Sequence, residues 1–473
     1  MFNLKDIVQA LTKKQSPLLD LPISSVVIDS RQASPGSLFV ALQGEQTDGH
    51  EYVQNAFDDG AVLALVHKQV SDKHQTLDLR QSDITYEGIN TDLPLCLLVE
   101  DTLQSLQNFA AYWRAEHPVR TIGITGSVGK TTTKELTASL LSQKFNVLKN
   151  PGNRNNEIGL PLTLLELEDR HEVAVLEMGF YVPGEIRTLC EIAKPQIGVL
   201  TNIGTVHAER AGSQEIIAKG KAELVEMLPP GPEGIAILNM DDAYIRAMAA
   251  QTRADVFTYG IEQKADLMAA EIEANGLNGI SCNLTFQGQT HRVRSPLLGA
   301  FSAYTILRAA AVALKEGLDW EAIEAGIADS QIDLRMRQFS SPIGAVILDD
   351  TYNASPASTT AALKFLGDLK GRKIAILGDM LELGQYERSG HYEVGKLAAK
   401  IAEVLILVGE RSKTIAESAL EAGFSEEHIH WHPNAMDARE TALKVVQNGD
   451  VVLIKGSNSM RMGQITAALE GKS

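Results

Sequence analysis

The residues best placed to do chemistry lie between 124 and 135, ITGSVGKTTTKE, where two glycines precede a lysine and three threonines. Backbone amides, a lysine and a hydroxyl gathered at one turn are the parts that hold a phosphate chain. The amides and the helix dipole attract the anion, Lys130 can reach its terminal phosphates, and the Thr131 hydroxyl can ligate Mg²⁺. The spacing is short, however. The common phosphate loop places a glycine five residues ahead of its Gly-Lys pair, and here that position is Ile124. The loop is therefore Gly126, Ser127, Val128 and Gly129, followed by Lys130, Thr131 and Thr132. A Gly-rich turn beside a solvated lysine is the bland alternative. The order of strand, loop, Gly-Lys-Thr-Thr and helix favours a nucleoside triphosphate site.

Two further strand ends should meet this loop, because ligands gather at the C-terminal edge of parallel strands. VAVLEMG delivers Glu177, and IGVLTNIGTVH delivers Thr201, Asn202 and His207. A carboxylate and an imidazole beside a triphosphate can hold a second Mg²⁺, directly or through water. Taken singly, Glu177 reads equally as a strand-end charge and His207 as a loop histidine. IIAKGKAELVEML reads as a helix carrying Lys219 and Lys221. A charge on a helix is usually a solvated face, and chemistry alone does not separate Lys221 from that account.

Positioning these groups requires an α/β architecture. TIGIT before the loop reads as a buried strand, and KTTTKELTASLLSQK after it as a helix with Leu136, Leu140 and Leu141 turned inward. VAVLE, IGVLTNI and GIAILN are short, apolar and rich in β-branched residues, as central parallel strands are. A later run, AVILDD, RKIAILGD, EVLILVG, HIHWHP and DVVLIKG, alternates five strands with helices and predicts a second, Rossmann-like parallel sheet. The first ~100 residues carry shorter strands, SSVVIDS, GSLFVAL and AVLALVHK, with a helix near HEYVQNAFDDG. SDKHQTLDLRQSDITYEGINTD reads as an exposed loop, and DTLQSLQNFAAYWRAEH as a helix with Leu103, Leu106, Phe109, Ala110 and Trp113 on one face. The expected division is a small N-terminal α/β domain (1–100), a central P-loop-type domain with a mainly parallel sheet (101–334) and a C-terminal Rossmann-like domain (335–473).

Composition narrows the function classes. A formal net charge of −17 is wrong for a nucleic-acid partner, which calls for a clustered basic surface. It leaves room for an anionic small substrate, which needs only local cations and amides. No apolar run approaches the ~20 residues of a membrane-spanning helix, and MFNLKDIVQALTKKQ reads as an amphipathic helix of the fold and not as a signal peptide. Cys96, Cys190 and Cys282 are isolated, which argues against a disulfide framework or a cysteine zinc site. A monomer in the cytoplasm is the expectation.

TGSVGKTTTKE, NPGNRNNEIGLP, LEMG, TNIGTVH and AKGKAEL, followed by DDTYNASPAS, LGDMLELG and LIKGSNSMRM, together resemble the Mur ligases, ATP-dependent amide-forming enzymes of peptidoglycan precursor synthesis. Within that family the chain is similar to the members that join D-alanyl-D-alanine to the UDP-N-acetylmuramoyl tripeptide. The sister ligase that adds the third amino acid usually carries HGTNGKT and DNPR, and neither is present here. The resemblance implies roles that spacing could not supply. Lys221 matches a lysine often carried as an N-carbamate that helps to position Mg²⁺. Glu177 and His207 match the metal-associated pair, and Asn153, Asn155 and Asn156 a loop facing substrate and phosphates. Arg335 aligns with an arginine that reaches the nucleotide from the hinge. Asp350, Tyr352 and Asn353 match the C-terminal contribution to nucleotide and acceptor, and Asp29, Ser30 and Arg31 the segment near the UDP-sugar. The implied cofactors are ATP and two Mg²⁺ ions. The chain departs from the family at GAFSAYT, where Phe301, Ser302 and Thr305 replace His, Asn and Asn near the adenine, and at Asn458, where an arginine is frequent, with Arg461 three residues on.

The chemistry expected of such a ligase is phosphorylation of a carboxylate to an acyl phosphate, followed by attack of the acceptor amine. Two rival readings are a nucleotide-dependent switch or transport ATPase, and a non-catalytic homologue that binds UDP-sugars. HIHWH places His428, His430 and His432 on one face of a strand, where three imidazoles could bind zinc; an edge strand is the competing account. Asp379 and Glu382 in GDMLELG are explained equally well by a strand end entering a loop, and they stay outside the candidate set.

Overall fold

The computed structural model describes residues 2–14, 21–329 and 336–472. The chain is an α/β protein that divides into two compact units.

The first unit combines residues up to Thr121 with 146–178 and 187–195. Its five-stranded parallel sheet runs in the order Val26–Val27, Leu38–Val40, Leu63–Val66, Leu95–Leu98, Gln75–Asp78. The last strand lies inside the polar stretch expected to be a loop. An edge strand needs few apolar side chains, and here only Leu77 is buried while the ladder to Leu95–Leu98 supplies the rest. The first helix, Leu4–Thr12, starts at a capping box of Asn3 and Asp6. Thr102–Glu116 is capped by Asp101 and buries Leu106, Phe109, Ala110 and Trp113; Leu103 is only partly buried. The unit also holds a parallel pair, Val147–Lys149 with Val173–Glu177, and a short antiparallel pair, Phe2–Asn3 with Pro22–Ile23.

The second unit holds 122–145, 179–186 and everything from 196 onward. The strand Arg120–Thr125 leads into it and pairs in parallel with Ile197–Leu200; Ile235–Asn239, Asp255–Gly260 and Leu267–Ala274 follow, also parallel. The sheet then turns antiparallel through Ile280–Phe286 and Gln289–Ser295. This meander interrupts the expected alternation of strands and helices. Its tight hairpin places Gln287 and Gly288 both at positive φ, 49° and 79°, the backbone of a two-residue primed turn.

A further sheet in this unit carries the five expected C-terminal strands, all parallel: Val346–Asp350, Val451–Lys455, Lys373–Gly378, Val404–Val408 and Ile429–His432. Arg337–Ser340 adds an antiparallel edge. Alternate residues fill two cores, Leu348, Leu377, Leu405 and Leu453 on one face and Ile347, Ile376, Ile406 and Ile454 on the other. Burial on both faces explains why the four inner strands read as continuous apolar runs. In HIHWH the strand begins only at Ile429, and His428 ends a 3-10 turn before it, so the three histidines do not share one strand face. The strand is an edge, anchored by Trp431 Nε1 donating to Gly409 O at 2.8 Å.

Candidate active site

The phosphate loop is built by two glycines in conformations that other residues avoid. Gly126 has φ 147° and Gly129 φ 84°. Space matters as much as torsion at the first: a Cβ on Gly126 would stand 1.8 Å from Thr201 Oγ1. The neighbouring strand end clamps the loop. Ser127 N donates to Asn202 O, and Val128 N to Asn202 Oδ1, both at 2.9 Å, while Gly204 N donates to Ser127 Oγ at 2.8 Å. With those two amides engaged, the attraction for an anion comes from the N-terminus of the helix Lys130–Leu141, which starts at Gly129 and packs through fully buried Leu136, Leu140 and Leu141. Lys130 Nζ folds back to donate to Gly126 O at 2.9 Å. Thr131 and Thr132 follow in the first turn, both partly buried.

A cavity of about 430 Å³ opens beside the loop, wholly within the second unit. Ser127, Val128, Gly129 and Thr132 form one wall, and Thr201, Asn202, Asn239 and Asp241 a second. Phe301, Ser302, Thr305 and Arg308 line it from the start of the helix Ala303–Lys315, and Asp350, Tyr352, Asn353 and Lys455 from the C-terminal sheet. The loop and the C-terminal candidates thus meet on one cavity. Lys455 was not singled out from sequence. It is 2% exposed, and its Nζ donates to Asp350 Oδ2 at 2.6 Å and Asn353 O at 2.8 Å. A lysine closing an otherwise apolar strand, VVLIK, is the signal that could have found it. Neither Asn458 nor Arg461 lines this cavity, and Arg335 lies outside the described residues.

Near the loop stand His207 and Lys221. His207 has φ 67°, and its Nδ1 lies 2.5 Å from Glu382 Oε2. The Tyr181 ring packs edge-on at 4.6 Å. Burial pushes the imidazole pKa down to about 4 against the pull of Glu382, and Lys130 and Lys221 repel its proton further. A neutral ring bonded to a carboxylate through Nδ1–H offers Nε2 as its acceptor nitrogen, which is how a metal-binding histidine is oriented. The loop carrying Glu382 also grips its surroundings: Glu209 N donates to Glu382 O, and Gln385 Nε2 to Gly212 O. A carboxylate 175 positions away in sequence left no signal there.

The structure separates the two lysines that chemistry alone could not. On the helix Gln214–Glu226, Lys219 is exposed while Lys221 is 1% exposed, its Nζ 4.6 Å from the Phe180 ring centroid. Gly220 allows that ring in, since a Cβ there would stand 2.1 Å from Phe180 Cε2. Among the described residues, no three His, Cys, Asp or Glu side chains gather into a ready metal cage. An Mg²⁺ ion shared with phosphates takes only one or two protein ligands. The Thr131 hydroxyl fits that modest requirement, and Nε2 of neutral His207 could accept from a water on the ion.

The remaining candidates lie in the first unit. Glu177 ends its strand 1% exposed; its N–H donates to Asn150 Oδ1 at 2.9 Å, and its Oε1 accepts from Asn155 Nδ2 at 2.8 Å. The asparagine loop divides its labour. Asn150, not among the sequence candidates, fixes the Glu177 backbone from both sides, Asn155 holds the carboxylate, Asn156 Oδ1 accepts from Gly159 N to start a helix, and Asn153 is exposed. Asp29 caps the turn Ser30–Gln32 and takes a two-pronged bond from Arg31 at 2.9 and 2.7 Å. Arg31 is otherwise exposed and Ser30 buried.

Comparison with known proteins bears on what this arrangement serves. Three family models match in chain order: Mur ligase family, catalytic domain, over residues 22–92; Mur ligase middle domain, over 124–313; and Mur ligase, glutamate ligase domain, over 334–458. Over 453 residues the chain is 37% identical to the UDP-N-acetylmuramoyl-tripeptide--D-alanyl-D-alanine ligase of Synechocystis sp., a match covering 95% of this chain and 92% of that protein. Among solved structures it is similar to MurF from Acinetobacter baumannii, with a TM-score of 0.84 and 28% identity over 99% of this chain and 98% of that one. It is also similar to the MurF ligase from Thermotoga maritima in complex with ADP, with a TM-score of 0.80 and 26% identity over 96% and 99%.

Proposed function

The chain belongs to the Mur ligase family, and from that premise we propose that it joins D-alanyl-D-alanine to a UDP-N-acetylmuramoyl tripeptide at the expense of ATP. One observation carries the reading. The likeness runs through the whole chain, with all three family segments in order, whereas a switch or transport ATPase would share only the phosphate loop.

A carboxylate does not condense with an amine in water, because its oxygen is a poor leaving group. The tripeptide carboxylate takes the terminal phosphoryl group of ATP, and ADP departs. The dipeptide amine then attacks the acyl phosphate, and inorganic phosphate leaves from the tetrahedral intermediate. In this scheme Lys130 and the helix N-terminus neutralise the transferring phosphoryl group. His207 and Thr131 would hold Mg²⁺, which when bound offsets charge on the phosphate oxygens, and Glu177 would keep the metal-associated role that the family resemblance implies for it. Lys221 would serve as an N-carbamate. Its burial beside His207, where Lys130 also acts, favours converting one of two neighbouring cations into an anion. Asp350, Asn353 and Arg335 would meet the nucleotide, Tyr352 and the asparagine loop the substrates, and Asp29, Ser30 and Arg31 the UDP end. The functional domains 1–100, 101–334 and 335–473 would bring UDP, ATP and the dipeptide site in turn, in a monomer of the cytoplasm.

Phosphate release with purified protein, Mg²⁺ and bicarbonate tests the reading. Release is expected only when the tripeptide substrate and D-alanyl-D-alanine are both present. Release with neither would support the switch or transport ATPase instead. Glu382 acts through His207, so Glu382→Ala is expected to lower kcat about tenfold to a hundredfold while leaving the KM for D-alanyl-D-alanine little changed. Steady-state kinetics over a range of Mg²⁺ should show part of the loss relieved at high Mg²⁺; a loss that Mg²⁺ does not relieve, together with a lowered thermal midpoint, would mean that Glu382 only supports the fold.

A further inference from the structure

Arg308 is a buried cation that the scheme above leaves unused. It is 4% exposed and lines the cavity. Its Nη2 donates to Thr305 Oγ1 at 3.0 Å, and its Nη1 reaches Thr201 O at 3.5 Å; both acceptors are neutral. Nε has no partner, nor has the buried Thr201 Oγ1 on the same cavity. The acids on that wall, Asp241 and Asp242, are committed elsewhere: Asp241 accepts from Ile261 N and Gln263 N at 2.6 Å and from Tyr304 Oη at 2.8 Å, and Asp242 from Ile203 N at 2.8 Å and Tyr244 N at 3.0 Å. The guanidinium also lies against the phosphate loop, since a Cβ on Gly129 would stand 3.2 Å from Nη2.

A guanidinium buried without an anion is costly, and its planar fork of donors matches phosphate oxygens. We propose that Arg308 is a phosphate-binding residue of the nucleotide site, held under the loop by Thr305 and Thr201 and completing its hydrogen bonds on a phosphate oxygen of the bound nucleotide. The inference rests on the nucleotide reading above. It locates part of the affinity in the phosphates at a site where Ser302 and Thr305 offer the base only single hydroxyls.

The test is calorimetric titration of wild type, R308M and R308K with ADP, AMP and adenosine. Wild type is expected to bind AMP and ADP more tightly than adenosine. R308M should lose on the order of tenfold to a hundredfold in affinity for both nucleotides while adenosine binding stays put, and R308K should recover part of the loss. Equal losses for all three ligands, or no loss, would make Arg308 a packing residue and overturn the proposal. Should R308M fail to fold, R308K decides: a drop confined to AMP and ADP supports the assignment, and a uniform drop or none removes it. Wild type that binds ADP beside unchanged variants sinks this inference alone. Wild type that binds none of the three sinks the nucleotide reading and this inference with it.

Discussion

Lys130→Ala protein is expected to fold normally and to lose ligation by on the order of 10³-fold, the scale of removing one strong donor from a developing anion. The two halves of this expectation have separate physical grounds. The loop owes its shape to Gly126 and Gly129 and to the Asn202 and Ser127 hydrogen bonds, none of which involves the lysine side chain. Removing Nζ costs its bonds to Gly126 O and Ser127 O, two carbonyls of the same loop, and the thermal midpoint should move by a few degrees at most. In the proposed scheme catalysis loses a flexible cation at the phosphate loop that neutralises the transferring phosphoryl group. Lys130→Arg should rescue poorly, because a planar fork does not take the place of a compact ammonium folded into a tight loop. Single-turnover formation of the ligated product is the measurement. Retention of activity within about tenfold would remove Lys130 from the phosphoryl-transfer machinery.

The elements that sequence made legible share one property: their side chains are buried on both faces or along a full helical stripe. The four inner parallel strands of the C-terminal sheet and the strand leading into the phosphate loop stand out as apolar runs for that reason. Gln75–Asp78 hid because an edge strand with one buried side chain carries little more signal than a loop. The hairpin ending at Ser295 hid because its outer strand is half polar, though the Gln-Gly turn was a usable clue. At the site, the phosphate loop was legible because its chemistry is contiguous in sequence. The Glu382 contact with His207 was not, because it joins residues 175 apart and either alone has a bland explanation. Lys219 and Lys221, two positions apart, must face different sides of a helix. Which of them turns inward depends on Phe180 and Gly220, and no local pattern encodes that.

Lys221 supports the other large expected effect. Lys221→Ala should lower turnover by about 10²- to 10³-fold, and the form of the defect distinguishes a cation from a carbamate. If the buried lysine works as an ammonium, only another amine could restore function, and bicarbonate would be irrelevant. If it works as an N-carbamate, the missing group is a carboxylate. Acetate or formate supplied to Lys221→Ala should then recover part of the activity, since truncation leaves space beside the Phe180 ring where Nζ stood, 4.6 Å from the ring centroid. Wild type prepared in ¹³C-bicarbonate should show a carbamate carbon signal that Lys221→Ala lacks, and Lys219→Ala, altered at the exposed neighbour, should keep both the signal and the activity. The electrostatics point the same way. Lys130 and Lys221 both repel the proton of His207, so exchanging one cation for an anion would relieve crowding of positive charge before any phosphate arrives and leave a negative group to hold Mg²⁺. Full activity in Lys221→Ala would remove the residue from the mechanism altogether. A large loss with neither carboxylate rescue nor a labelled carbon would keep Lys221 as a cation and retire the carbamate.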